Sequence, residues 1–188
     1  MSGSAGGNRI SREALKKTVD SYIEKVLKGF TGFKSAKISG SYNTTDKQDF
    51  GDIDLIVNIE SEDDKKTVKQ NLAKYLESLS NDTIVPFKSD KNKGKRVLNH
   101  GEILTVLYPI EGAPGEFVQI DNIISLTEAE AEFKKTVLDY PAERQGLILG
   151  LIKTVLLEED PEKVFAKLGI KNVDPLGPND EYEFHVDT

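Results

Sequence analysis

The sequence predicts an α/β (α+β) domain, a mixed sheet flanked by helices, with a C-terminal helical segment. Helical and strand periodicities alternate from Ser11 to Leu79, the pattern of layered helices and strands. A turn signal, Glu111-Gly112-Ala113-Pro114-Gly115, separates two apolar strands and makes them an antiparallel hairpin. Beyond Ser125 the periodicity is helical as far as Leu168.

At 188 residues the chain fits one domain, or one domain with a small helical annex. Charged residues at 30% and hydrophobic residues at 37% are ordinary for a globular protein. A formal net charge of −7 argues against gripping duplex nucleic acid through a broadly basic surface, although local basic patches remain open. The absence of cysteine excludes disulfides, zinc–thiolate sites and a cysteine nucleophile. No apolar run reaches the roughly 20 residues that span a bilayer, so no membrane partner is expected. Met1 to Gly7 has neither the basic start nor the apolar stretch of a signal peptide and reads as a flexible leader. A cytoplasmic location is the default expectation.

Taken in order, Leu15, Val19, Tyr22, Ile23, Val26 and Leu27 recur at helical spacing, with Ser11 to cap the helix and Gly29 to stop it. A short strand, Ser35 to Ser39, leads into a Gly40-Ser41 turn. Tyr42 to Phe50 is polar and reads as an exposed loop or a short helix followed by a loop. A strand from Ile53 to Ile59 follows, then a helix from Glu62 to Leu79 with acids in its first turn, where the helix dipole favours them. Thr83 to Phe87 is expected to be a strand. The most basic stretch comes next: Lys88, Lys91, Lys93, Lys95 and Arg96, loosened by Gly94. It is either a solvated loop or an arm that contacts a polyphosphate or a nucleic-acid acceptor.

The hairpin strands are Glu102 to Tyr108 and Glu116 to Ile124. Helices are expected at Thr127 to Asp139, with Thr127 and Glu130 as a capping pair, at Ala142 to Glu158, and at Pro161 to Leu168. The last stretch, with Pro175, Gly177 and Pro178, reads as a linker, a lone edge strand, or the place where a longer protein was cut.

Chemistry concentrates between Lys37 and Val57. In an extended strand alternate side chains share a face, so Asp52 and Asp54 point the same way while Ile53 turns to the core. Two carboxylates so placed repel unless a cation lies between them, and a hard divalent ion such as Mg2+ takes oxygen ligands beside phosphate. The Gly40-Ser41 turn suits the phosphate: glycine lets it approach backbone N–H groups, and the serine hydroxyl adds a donor. Asp121 sits alone in the apolar run Phe117 to Ile124, and an unpaired carboxylate there is expensive to bury.

These residues resemble the nucleotidyltransferase superfamily that includes DNA polymerase beta, tRNA CCA-adding enzymes, minimal nucleotidyltransferases and kanamycin-type nucleotidyltransferases. The family signature is an apolar residue, Gly, Gly or Ser, a gap of about ten residues, then Asp-apolar-Asp and an apolar strand. Gly40-Ser41 and Asp52-Ile53-Asp54-Leu55 fit it. The resemblance covers about Lys37 to Ile124. It implies a nucleotidyltransferase domain over 9–126, after a leader at 1–8 and before a helical segment at 127–170 and a tail at 171–188.

It further implies Mg2+-dependent (or Mn2+-dependent), template-independent transfer of a nucleoside monophosphate from a nucleoside triphosphate such as ATP to an acceptor hydroxyl. The acceptor would be an RNA 3′ end, a small molecule or a protein side chain. Asp52, Asp54 and Asp121 would hold the metal and carry catalysis, with Glu116 the fallback for the third acid. Gly40 and Ser41 would cradle the β- and γ-phosphates, with Lys47, Lys95 and Arg96 as further nucleotide-binding residues. Minimal-type relatives often carry arginine after the Gly-Ser turn; here Lys47 is the only base in that segment, which leaves open how a polyphosphate is held. Tyr42 would stack, hydrogen-bond or simply pack, and neither His100 nor His185 is given a role. Two other functions compete: a catalytically silent nucleotide- or partner-binding module on the same fold, and a toxin–antitoxin nucleotidyltransferase that modifies tRNA or a partner protein.

Overall fold

A computed structural model describes residues 6–89 and 91–139. The expected helices at 142–158 and 161–168 and the tail lie outside the described residues. The chain divides into two compact units, Met1–Pro141 and Ala142–Thr188.

Among the described residues, seven strands and four α-helices run in the order β1 (Ile10–Ser11), α1 (Arg12–Lys25), β2 (Phe33–Ser39), α2 (Ser41–Thr44), β3 (Asp49–Phe50), β4 (Asp52–Ile59), α3 (Lys65–Ser78), β5 (Leu98–His100), β6 (Ile103–Pro109), β7 (Phe117–Ser125) and α4 (Glu128–Leu138). The fold is α+β: a five-stranded mixed sheet in the order β2-β4-β7-β6-β5, and a separate two-stranded ribbon, β1-β3. β4 and β7 are parallel. β2 with β4, β6 with β7 and β5 with β6 are antiparallel.

Alternation divides the sheet into two unlike faces. Leu55, Val57, Ile120, Ile124, Leu104 and Val106 face the main core, where Leu15, Val19 and Tyr22 of α1 and Val68, Leu72 and Leu76 of α3 meet them. Each such side chain, fully buried, contributes about 1.5–3 kcal/mol of hydrophobic stabilisation. Asn122 is a fully buried polar residue on this face. It accepts from the Tyr22 hydroxyl (3.0 Å) and donates to the Leu104 carbonyl (3.0 Å), so the buried amide is paired.

The other face is apolar at two separate places. Ile56 and Ile123 pack with Ala131 of α4, and Leu98 and Leu107 pack with Val85 and Phe87. Between these patches runs a polar band.

The caps are largely those the sequence announces. Ser11 accepts from the Ala14 N–H (3.2 Å), and Thr127 from the Glu130 N–H (3.1 Å). α3 starts later than expected because Asp64 is its cap, accepting from the Thr67 N–H (3.0 Å).

Thr83 to Phe87 is not a strand. Val85 makes a single bridge to Leu107, and Pro86, having no N–H, cannot extend a ladder. The short edge strand β5 replaces it. The expected leader is in part tied down. Asn8 and Phe117 exchange hydrogen bonds, and Gly7 lies so close to β7 that a Cβ there would stand 2.8 Å from the Gln119 nitrogen.

Candidate active site

The polar band is set by register. Ser39, Asp54, Asp121, Thr105 and Leu98 form one row across all five strands, each paired with the next. Asp52 pairs with Gln119 in the adjoining row. Cross-strand partners project to the same face, so Asp52, Asp54 and Asp121 share one side of two neighbouring strands. Asp54 and Asp121 are partly buried, and Asp52 is exposed.

The Gly40 turn stands directly against Asp54. Gly40 has φ of 75°, and a Cβ added to it would lie 2.7 Å from Asp54 Oδ2, so a larger residue would fill the space between turn and carboxylate. Asp121 is held from both sides: Thr105 Oγ1 donates to it at 2.6 Å, and Gln119 Nε2 at 3.0 and 3.1 Å.

Burial, reinforced by the negative charges of Asp121 and Asp52, pushes the Asp54 carboxyl up to about 7. Burial likewise raises Asp121, while the Thr105 and Gln119 hydrogen bonds oppose the rise and His100 adds a weaker favourable charge. His100, which the sequence reading left without a role, pairs with Ile103 on β6 and so projects to the same face as Asp121.

Whether a divalent ion suits this face turns on its donors. Among the described residues no group of three or more His, Asp or Glu side chains is arranged to hold one ion as the side chains stand. Asp121 is engaged by Thr105 and Gln119. The donor set nevertheless fits a hard cation: it consists of carboxylate oxygens, and the repulsion that raises Asp54 is what a divalent charge relieves. Asp52 and Asp54, with Asp121 beside them, are the residues that would hold it.

The other expected site residues are dispersed. Ser41 opens the one-turn α2 and is exposed. Lys47 is exposed in the loop beyond it. Lys95 and Arg96 line a cavity of about 530 Å³ with Leu98 and His100, at the β5 edge of the sheet. The Arg96 guanidinium donates to the carbonyls of Glu77 and Leu79, closing the C-terminal end of α3. Glu116 is exposed in the turn ahead of β7, bonded through its N–H to the Ala113 carbonyl, and is not in the carboxylate row.

Sequence reasoning missed Arg12. Its guanidinium donates to the carbonyls of Tyr42 (3.0 Å), Thr45 (2.5 Å) and Lys47 (3.0 Å) and lies 4.7 Å over the Tyr42 ring. The loop that joins the Gly-Ser turn to β4 is thereby wrapped around one side chain from α1, and the Arg12 guanidinium lies over both the Tyr42 and Phe50 rings, which also contact each other. Nothing local to Arg12 signals this, because its partners are backbone carbonyls thirty or more residues away.

Fold and site together define a mixed α+β domain with three carboxylates on one face of adjacent parallel strands, beside a glycine turn. No family model matches the chain, and a search of curated proteins finds no match. No helix among the described residues is long and apolar enough to cross a membrane.

Proposed function

We propose that the chain is a metal-dependent nucleotidyltransferase that moves a nucleoside monophosphate from a nucleoside triphosphate to an acceptor hydroxyl. The observation that carries the reading is the register of Asp54 with Asp121 on parallel neighbours, with Asp52 on the same face and Gly40 against Asp54.

Bound divalent ions would neutralise the triphosphate and lower the pKa of the attacking hydroxyl. Asp52 and Asp54 would hold them. Asp121, its affinity for protons raised by burial, would take the hydroxyl proton as the acceptor oxygen bonds to the α-phosphorus and the bond to the departing pyrophosphate breaks. Thr105 and Gln119 keep that carboxylate aimed.

In-line displacement places attacking and leaving oxygens on opposite sides of phosphorus. A triphosphate anchored at the Gly40 turn, on the β2 side, therefore leaves the β6–β5 side to the acceptor. The cavity at that edge is lined by Lys95 and His100 together with the acidic Glu77, so its lining does not by itself select an acceptor class.

The test is incubation with each labelled triphosphate and Mg2+ or Mn2+, with total RNA and, separately, with cell protein. Label in one pool, lost in Asp52→Asn and Asp54→Asn, supports the proposal and names the acceptor class. Tight nucleotide binding with no label in any pool assigns the chain to the silent binding module.

A further inference from the structure

At the Gly40 turn, three hydrogen-bond donors converge on a single carboxylate supplied by the chain itself. Asp139, at the C-terminal end of α4, accepts from the Gly40 N–H (2.8 Å) and the Asn43 side-chain amide (3.0 Å) through Oδ1. Its Oδ2 accepts from the same amide (3.1 Å) and from Lys135 Nζ (2.6 Å). The donors come from separate segments: a backbone N–H before α2, an amide within it, and an ammonium on the last turn of α4. The Asp139 side chain is 18% exposed and its i,i+4 partner Lys135 34%, so the contact is half-buried.

We infer that Gly40 N–H, Asn43 and Lys135 form an anion subsite for the polyphosphate of the donor nucleotide, and that Asp139 is its displaceable internal occupant. This rests on the nucleotidyltransferase reading. Backbone N–H, amide and ammonium groups on one carboxylate are the donors a phosphate also takes, and charge-assisted bonds of this kind are stronger than neutral ones. A polyphosphate carries more negative charge in total than a single carboxylate and would take the same donors. The subsite lies beside the carboxylate face, because Gly40 itself abuts Asp54. It also supplies a cation beside the Gly-Ser turn, in addition to Lys47 of the following loop. Lys47 is exposed, whereas Lys135 already binds an anion beside Gly40.

An alternative role for Asp139 is fixed: it would hold the turn in shape and never leave. The two roles predict opposite signs. Asp139→Asn preserves shape and an acceptor for the Gly40 N–H but removes the competing charge. Calorimetric titration of the full chain with inorganic tripolyphosphate and Mg2+ should show Asp139→Asn binding about tenfold more tightly than wild type. Lys135→Met should bind about tenfold more weakly. Unchanged or weaker binding by Asp139→Asn, or unchanged binding by Lys135→Met, overturns the inference. Asp139→Ala, which removes every contact, would bind at least as tightly as Asp139→Asn if the carboxylate competes, and more weakly than wild type if it only positions the turn. Failure of the underlying reading looks different: no form of the protein, wild type included, binds tripolyphosphate or any nucleoside triphosphate, and the inference then falls with it.

Discussion

Replacing Asp54 by asparagine should make the metal-free protein more stable above pH 7 while removing its response to Mg2+. The carboxyl, ordinarily near 3.8, is raised to about 7 by burial and by Asp121 and Asp52. Each unit of that rise corresponds to about 1.36 kcal/mol, so the ionised group costs on the order of 4 kcal/mol of stability once fully charged. The folded protein binds this proton more tightly than the unfolded chain does. Wild-type stability from this group therefore falls as pH rises from about 4 to about 7 and is level on either side. Asparagine keeps the shape and removes the charge, but its amide needs partners in a polar pocket, which brings the expected gain at pH 8 to about 2–3 kcal/mol. For a chain of this size that is roughly 5–10 °C in melting temperature. Thermal melts across the range, with and without Mg2+, measure it. The wild type should be stabilised by Mg2+ at high pH, and Asp54→Asn should not. The reasoning is refuted if the variant melts below wild type at pH 8 or shows the same pH slope.

Glu130 offers the opposite sign. Burial pushes its carboxyl up, but Lys65, the Leu126 N–H and Lys134 outweigh it and hold the group down at about 2. That contribution is complete above the unfolded-state value and is lost as pH falls through about 2. Glu130→Gln should cost about 1–2 kcal/mol at neutral pH, with the gap to wild type closing in acid, as urea denaturation at both pH values would show. Gly40→Ala, strained by its positive φ and forced against Asp54, should lose about 1–2 kcal/mol and most transfer activity. Full turnover in that variant would contradict the close packing of turn and carboxylate. Arg96→Met should lower stability by about 1 kcal/mol, because the carbonyls at the end of α3 lose their donor, and leave triphosphate affinity unchanged. A fall in affinity with stability intact would restore Arg96 to the nucleotide site.

Much of the site could be read from residue order because strand alternation is a local property. Asp52 and Asp54 share a face in any extended strand, and Gln119 and Asp121 do so for the same reason. The turn at 111–115 announces the β6–β7 hairpin through its glycines and proline. That β7 lies parallel beside β4, opposing Asp54 to Asp121, is a long-range pairing that no local pattern encodes. The basic stretch illustrates a different limit: its composition suggests an anion contact, yet the Arg96 guanidinium is committed to backbone carbonyls. Arg12 and Asp139 escaped notice because each acts on a turn or loop far away in sequence, where an arginine or aspartate on a helix looks like ordinary solvated surface. Thr83 to Phe87 had the composition of a strand, and Pro86 denied it the hydrogen bonds.

The central claim is that Asp52 and Asp54, with Asp121 beside them, hold a divalent cation. Titration of the full chain with Mn2+, followed by electron paramagnetic resonance of the free ion, tests it directly. The account predicts Mn2+ binding by wild type that tightens when a nucleoside triphosphate is added and is lost in an Asp52→Asn, Asp54→Asn double variant that still folds. Equal Mn2+ binding by wild type and the double variant, with or without triphosphate, would contradict it.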